Sequence, residues 1–114
     1  MTQELTYEDV QHFLNQTAFD FLPSQGYLSF PIIQRIHRRL QNGHRFDPIK
    51  VTSNGLISDG HHRYVCLIIL GITIDSSKAG KNHNQLTYHW NKINLERKDY
   101  DSLEKIKKFE LLYD

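Results

Sequence analysis

The segment from Asn54 to Gly71 limits the fold more than any other part of the chain. Pro48-Ile49-Lys50-Val51-Thr52 has the composition of a short strand, and Leu56-Ile57-Ser58 that of its partner. Asn54-Gly55 joins them as a favoured two-residue hairpin turn, in which both positions tolerate positive φ. The chain then passes through Asp59-Gly60 into Tyr64-Val65-Cys66-Leu67-Ile68-Ile69-Leu70, closed by Gly71. A helix apolar on all sides is expected at the centre, covered on most faces. The fold class expected is α+β, a small mixed β-sheet surrounded by helices.

The flanking segments supply those helices. Thr6-Tyr7-Glu8-Asp9 is close to a capping box, and Tyr7, Val10, Phe13 and Leu14 follow at helical spacing towards the turn cluster Pro23-Ser24-Gln25-Gly26. A second helix has Ser29 as its cap, Pro31 in its first turn and Gly43 as its stop. Its stripe is Ile32, Ile33, Ile36 and Leu40, while Arg35, Arg38 and Arg39 lie largely off it. Those arginines form either a solvated face or a phosphate-facing patch extended by His44 and Arg45. Beyond Gly71, Ile72-Thr73-Ile74 is expected as a short strand and Asp75 to Gln85 as a polar loop. Leu86, Tyr88 and Trp90 alternate as a strand does, with a bulge or strand end near Asn91-Lys92. Asp101-Ser102-Leu103-Glu104 opens a last helix with Asp101 as cap and Leu103, Ile106 and Phe109 inward.

A length of 114 residues suits a single domain over 1–114. Hydrophobic residues at 39% and charged residues at 24% mark a globular chain, not a disordered one. The formal net charge of +1 writes no strongly basic nucleic-acid binder into the whole chain, so any phosphate affinity must be local. Cys66 is the one cysteine and lies in the most apolar stretch, either a buried small hydrophobe or a reactive thiol. No apolar run approaches the ~20 residues that span a bilayer, and Met1-Thr2-Gln3-Glu4 lacks a signal-peptide start. These features point to a cytoplasmic protein with no membrane partner, although secretion by a leaderless route leaves no such mark.

The chemistry-bearing cluster is Asp59-Gly60-His61-His62-Arg63, at the start of the central helix. Free backbone N–H groups and the helix dipole collect partial positive charge there. Gly60 lets backbone approach a ligand, and Arg63 suits a phosphate or carboxylate. Asp59 is either a helix cap or a ligand for a cation that accompanies phosphate. His61 and His62 are adjacent and point to different helix faces, so they do not resemble a zinc pair. Gly80-Lys81 lacks the rest of a Walker A loop.

Phe46-Asp47-Pro48-Ile49-Lys50-Val51 followed by Asn54-Gly55-Leu56-Ile57-Ser58-Asp59-Gly60-His61-His62-Arg63 and an apolar helix ending at Gly71 resembles the ParB/sulfiredoxin-like superfamily. The look is closest to its "ParB-like nuclease" branch with Asp-Gly-His-His, and the resemblance covers roughly residues 27–75. It implies a Gly-x-x-Arg turn that binds nucleotide phosphate, in a group that includes CTP-dependent DNA clamps, ATP-using sulfinic-acid reductases and a kinase for free serine. Carried onto this chain, Gly60, His61, His62 and Arg63 become phosphate-binding residues, with Asp59 a metal or acid/base residue. His61 stands where sulfiredoxin needs its cysteine, which argues against sulfinic-acid reduction. His61 and His62 stand where ParB has glutamate and arginine, and the residues after Ile74 leave no room for a helix-turn-helix domain.

The function expected is a phosphate-handling domain acting on nucleotides or nucleic-acid phosphodiesters, by phosphotransfer, hydrolysis or nuclease-like cleavage. Asp59 would hold Mg²⁺ or act as base, and His61 or His62 would move a proton as catalytic groups. Arg63 would stabilise charge on phosphorus. A nucleoside triphosphate and Mg²⁺ are the cofactors so implied. The alternative is a non-catalytic ligand-binding regulatory protein of the same fold. A third reading is a toxin module cut from a longer protein, with an immunity protein as partner.

Overall fold

The computed structural model of the chain describes residues 4–16, 18–79 and 86–113, the last five of these as backbone only. It is an α+β fold. Helix α1 (Tyr7–Gln16) opens with the capping box anticipated at Thr6. The Asp9 N–H donates to Thr6 Oγ1 at 3.1 Å and the Thr6 N–H to Asp9 Oδ2 at 3.3 Å. Val10 and Leu14 are its buried residues.

Two short strands, β1 (Leu22–Pro23) and β2 (Tyr27–Ser29), flank the Pro23–Gly26 turn and lead into α2 (Phe30–Gln41). Ile33, Ile36 and Leu40 of α2 are buried as their spacing demands. Its end is a Schellman cap: the His44 N–H donates to Arg39 O at 3.0 Å and the Gly43 N–H to Leu40 O at 3.1 Å, with Gly43 at φ 92°. Ser29 occupies the N-cap position but makes no side-chain cap, because its hydroxyl donates to Lys98 O at 2.8 Å.

Strands β3 (Ile49–Val51) and β4 (Leu56–Asp59) form the expected hairpin with a different turn. Only Gly55 has positive φ, at 82°, and no non-glycine residue among those described does. The Gly55 N–H donates to Thr52 O at 3.0 Å and the Thr52 N–H to Leu56 O at 2.8 Å. That is a tight turn with its left-handed residue last, so Asn54 needs no left-handed conformation. Leu56 N–H also donates to Thr52 Oγ1 at 3.1 Å.

Helix α3 (His61–Leu70) follows, and then β5 (Ser76–Lys78). The strand expected at Ile72–Ile74 lies instead at Ser76–Lys78, within the supposed loop. Ile72 is used up by the cap of α3, its N–H donating to Leu67 O at 2.9 Å, and the Ile49 N–H finds its partner only at Asp75 O, at 3.1 Å. All three β5 residues are exposed: an edge strand is defined by its ladder, not by apolar side chains. Residues 80–85 of that loop lie outside the described residues.

The main sheet runs β1-β4-β3-β5, with β3 and β4 antiparallel and the two outer pairings parallel. A second pair joins β2 to β6 (Asn94–Glu96) in parallel. No strand forms over Leu86 to Trp90. Trp90 starts a 3₁₀ turn, Trp90–Lys92, which sits where a bulge was anticipated. Its ring is buried against Phe19 and Tyr64, and its Nε1–H donates to Phe21 O at 2.8 Å. A lone aromatic with one polar handle is thus anchored without a strand.

Helix α4 (Leu103–Tyr113) starts as expected but with another cap: Ser102 Oγ accepts the Lys105 N–H at 3.2 Å, while Asp101 pairs with Arg35. Leu103 does not face inward; it is 76% exposed. The side chain of Phe109 lies outside the described residues. Among the described residues no helix is long and apolar enough to cross a membrane.

Candidate functional site

Strand β4 delivers the chain to a corner at Gly60, whose φ is 98°. A Cβ there would stand 2.7 Å from Arg63 Nη2 and 2.8 Å from Ile49 Cγ2, so both backbone angle and space require glycine. Tyr64 N–H closes the first helical turn onto Gly60 O at 2.9 Å. No side chain caps this end of α3. Asp59 is therefore not a cap. Its carboxylate turns to Arg63 instead, Oδ2 to Nη2 at 3.2 Å, with 59% of the Asp59 side chain exposed.

The uncapped first turn faces a cavity of about 250 Å³ lined by Gln25, Ile32, Ile36 and residues 58–63. The structure thus brings together all five residues singled out in the sequence. It gives the histidines a role that the sequence did not suggest. His61 is 4% exposed, and its Nε2 accepts the Ser24 N–H at 3.0 Å. Ser24 Oγ lies 3.4 Å from the same nitrogen and 2.5 Å from Ile57 O, to which it donates. His62 Nε2 accepts the Ser29 N–H at 3.0 Å, and its ring meets the edge or face of Tyr100 at 6.1 Å. The two rings point to different sides of α3, as their adjacency demands.

An N–H donor requires a lone pair on its acceptor, so each neutral ring carries its proton on Nδ1. Burial lowers the pKa of His61 to about 4, reinforced by neighbouring His62 and opposed by Asp59. Burial likewise lowers His62 to about 4, with Asp101 opposing and Arg63 reinforcing. Both imidazoles are neutral at pH 7. Neither is an imidazolium contact for phosphate, and proton uptake at either Nε2 must first break a backbone clasp.

The site offers an anion the first-turn amides and Arg63, whose Nε is buried without a hydrogen-bond partner among the described residues. Asp59 offsets part of that charge. Among the described residues no group of three or more His, Cys, Asp or Glu could hold a metal ion. One carboxylate alone suits Mg²⁺ that arrives with phosphates, not a metal held by protein only.

The arginines of α2 turn to different partners. Arg35 is buried and binds Asp99 through two bonds, Nη1–Oδ2 at 2.5 Å and Nη2–Oδ1 at 2.8 Å, and Asp101 at 2.7 Å. This holds the Asp99 carboxyl below its ordinary pKa. Arg38 pairs with Glu4 at 2.9 Å, and Arg39 lies over the Phe46 ring at 5.2 Å. Arg45 donates to Leu40 O and His44 O. Cys66 is fully buried, its thiol donating to Ile33 O at 3.3 Å, and burial pushes its pKa up. It behaves as a small core residue.

Ser24, Ser29 and Asp101, which the sequence marks as turn or cap residues, and residues 97–100 are parts of this neighbourhood that the sequence did not assign to the site. Ser29 and Arg35 tie the segment before α4 to α2, which brings the Tyr100 ring against His62. Compared with protein-family models, curated proteins and solved structures, the chain matches none of them.

Proposed function

We propose that the pocket at the start of α3 binds a phosphate-bearing ligand, a nucleotide or a nucleic-acid phosphodiester, in a domain of ParB/sulfiredoxin-like type. The observation that carries this reading is the uncapped helix start at Gly60, opening on a cavity beside Arg63. The Asp59–Arg63 pair is a surface i,i+4 contact at 3.2 Å, of a kind that contributes little, so an incoming phosphate exchanges for Asp59 at low cost.

Of the two roles, binding is supported better than turnover. Both histidines spend their basic nitrogen on backbone N–H groups, which leaves Asp59 as the exposed group for a chemical role. Asp59 could hold Mg²⁺ jointly with ligand phosphates, and Mg²⁺ would then offset the repulsion between carboxylate and phosphate.

Thermal-shift measurements with ATP, CTP, pyrophosphate and a short single-stranded DNA, each with and without Mg²⁺, test the reading. A ligand at 100 times its Kd stabilises by about 2.7 kcal/mol. Arg63→Ala should weaken binding by roughly 1.5–3 kcal/mol with the fold intact. No stabilisation by any of these ligands would overturn the proposal. Hydrolysis that is lost in Asp59→Asn would establish turnover.

A further inference from the structure

Strand β3 shows one side chain of three to solvent. Ile49 and Val51 are buried in the core, and Lys50 between them is exposed. The ladder fixes what stands beside Lys50: Asp59 of β4 on one side and Ser77 of β5 on the other. The register of the hairpin shifts between Lys50 and Val51, because Val51 pairs with Ile57 while Lys50 pairs with Asp59. Without that bulge Ser58 would stand opposite Lys50. The extra residue thus brings Asp59, a residue of the site, next to a lysine.

Lys50 makes no ion pair among the described residues, while Asp59 turns to Arg63 at 3.2 Å. Cross-strand neighbours stand about 5 Å apart at Cβ, a distance that the four-carbon stem of lysine spans. Asp59 therefore has a cation on either side, Arg63 lining the cavity with it and Lys50 beyond the lining residues.

We propose that Lys50 is a second anion contact of this site, and that the ligand is a short polyphosphate, free or as the tail of a nucleotide. One phosphoryl group lies at the first-turn amides and Arg63, and the next passes over Asp59 to the Lys50 ammonium. This rests on the phosphate-binding reading above and narrows it. Neighbouring phosphoryl groups share an oxygen, so two of them fit two cations separated by a single carboxylate. Mg²⁺ at Asp59 would neutralise the carboxylate that they straddle. A nucleic-acid strand draws its affinity from many phosphate contacts, whereas this chain has a formal net charge of +1 and its α2 arginines turn to other partners.

Isothermal titration calorimetry in Mg²⁺ tests this with phosphate, pyrophosphate, tripolyphosphate, ATP and a short single-stranded DNA. The wild-type chain should bind pyrophosphate at least about tenfold more tightly than phosphate. Lys50→Gln should weaken pyrophosphate binding about tenfold and leave phosphate binding and the melting temperature unchanged, since the side chain is exposed. Lys50→Arg should keep most of the affinity, and Arg63→Ala should weaken phosphate and pyrophosphate alike. Tripolyphosphate and ATP separate the two sources: equal affinity assigns recognition to the phosphates, tighter ATP to a nucleotide, and either supports the inference. Pyrophosphate binding that Arg63→Ala loses and Lys50→Gln keeps overturns the role of Lys50 alone. Single-stranded DNA bound more tightly than tripolyphosphate overturns the ligand class. No binding of any probe to the wild type overturns the phosphate-binding reading itself, and this inference with it.

Discussion

The two ends of α3 reverse what hydropathy alone would assign them. The start, His61-His62-Arg63, is polar by composition, yet His61 is 4% exposed and His62 is packed against Tyr100 and Ser29. The end, Leu67 to Leu70, is apolar by composition and only half-buried. The difference is one of hydrogen-bond accounting. Ser24 lies in the turn after β1 and Ser29 is the last residue of β2, and the backbone N–H of each donates to an imidazole of α3. A buried N–H without an acceptor is costly, so an imidazole placed there is worth burying. The last turn of α3 has its carbonyls closed by Gly71 and Ile72 and needs no such partner. Its burial depends only on what packs against it.

Acid is the strongest way to break the comparison. Both histidines have folded pKa values of about 4 against an ordinary 6.5, so the unfolded chain binds the extra protons first. Stability from the clasps is complete above pH 6.5 and is lost as pH falls towards 4. The loss should be on the order of 3 kcal/mol for each histidine. Urea unfolding from pH 7 to 4.5 measures it, and a flat profile would remove the clasps from the account.

Single substitutions should rank the two ends next. His61→Ala removes the acceptor for Ser24 and leaves a cavity, and should destabilise by roughly 2–4 kcal/mol. His61→Gln, which can still offer an acceptor, should recover part of this. Leu70→Ser at the other end removes a partly buried apolar side chain that packs on the core, and should cost less than His61→Ala, about 1–2 kcal/mol. Equal losses in chemical denaturation would show that burial alone, not the hydrogen bond, separates the two ends.

The smallest effect sharpens the role of the rim. Asp59 is neither a cap nor buried, so Asp59→Asn should change stability by no more than about 0.5 kcal/mol. A larger loss would make the Arg63 pair structural. With stability unchanged, any effect on Mg²⁺-dependent ligand binding can be assigned to the site itself.

Much of this molecule was legible before its structure. The capping box at Thr6, the stop of α2 at Gly43, the hairpin, the Gly60 corner and the end of α3 at Gly71 all appear where their residues predicted. Each is a bond or a backbone angle settled within about four residues, and such local rules act on the chain before it packs. Other features depend on partners far apart in sequence. His61 meets Ser24 across 37 residues, His62 meets Ser29 across 33, and Arg35 meets Asp99 across 64. No spacing rule announces such pairs. The strand at Ser76–Lys78 and the exposed Leu103 belong here too, since a ladder partner and a covering neighbour decide them, not the residues themselves. The sequence by itself determined which residues gather at the start of α3. Only the tertiary structure decided that the two histidines there are neutral clasps, because their protonation follows from burial and from backbone donors brought by other elements.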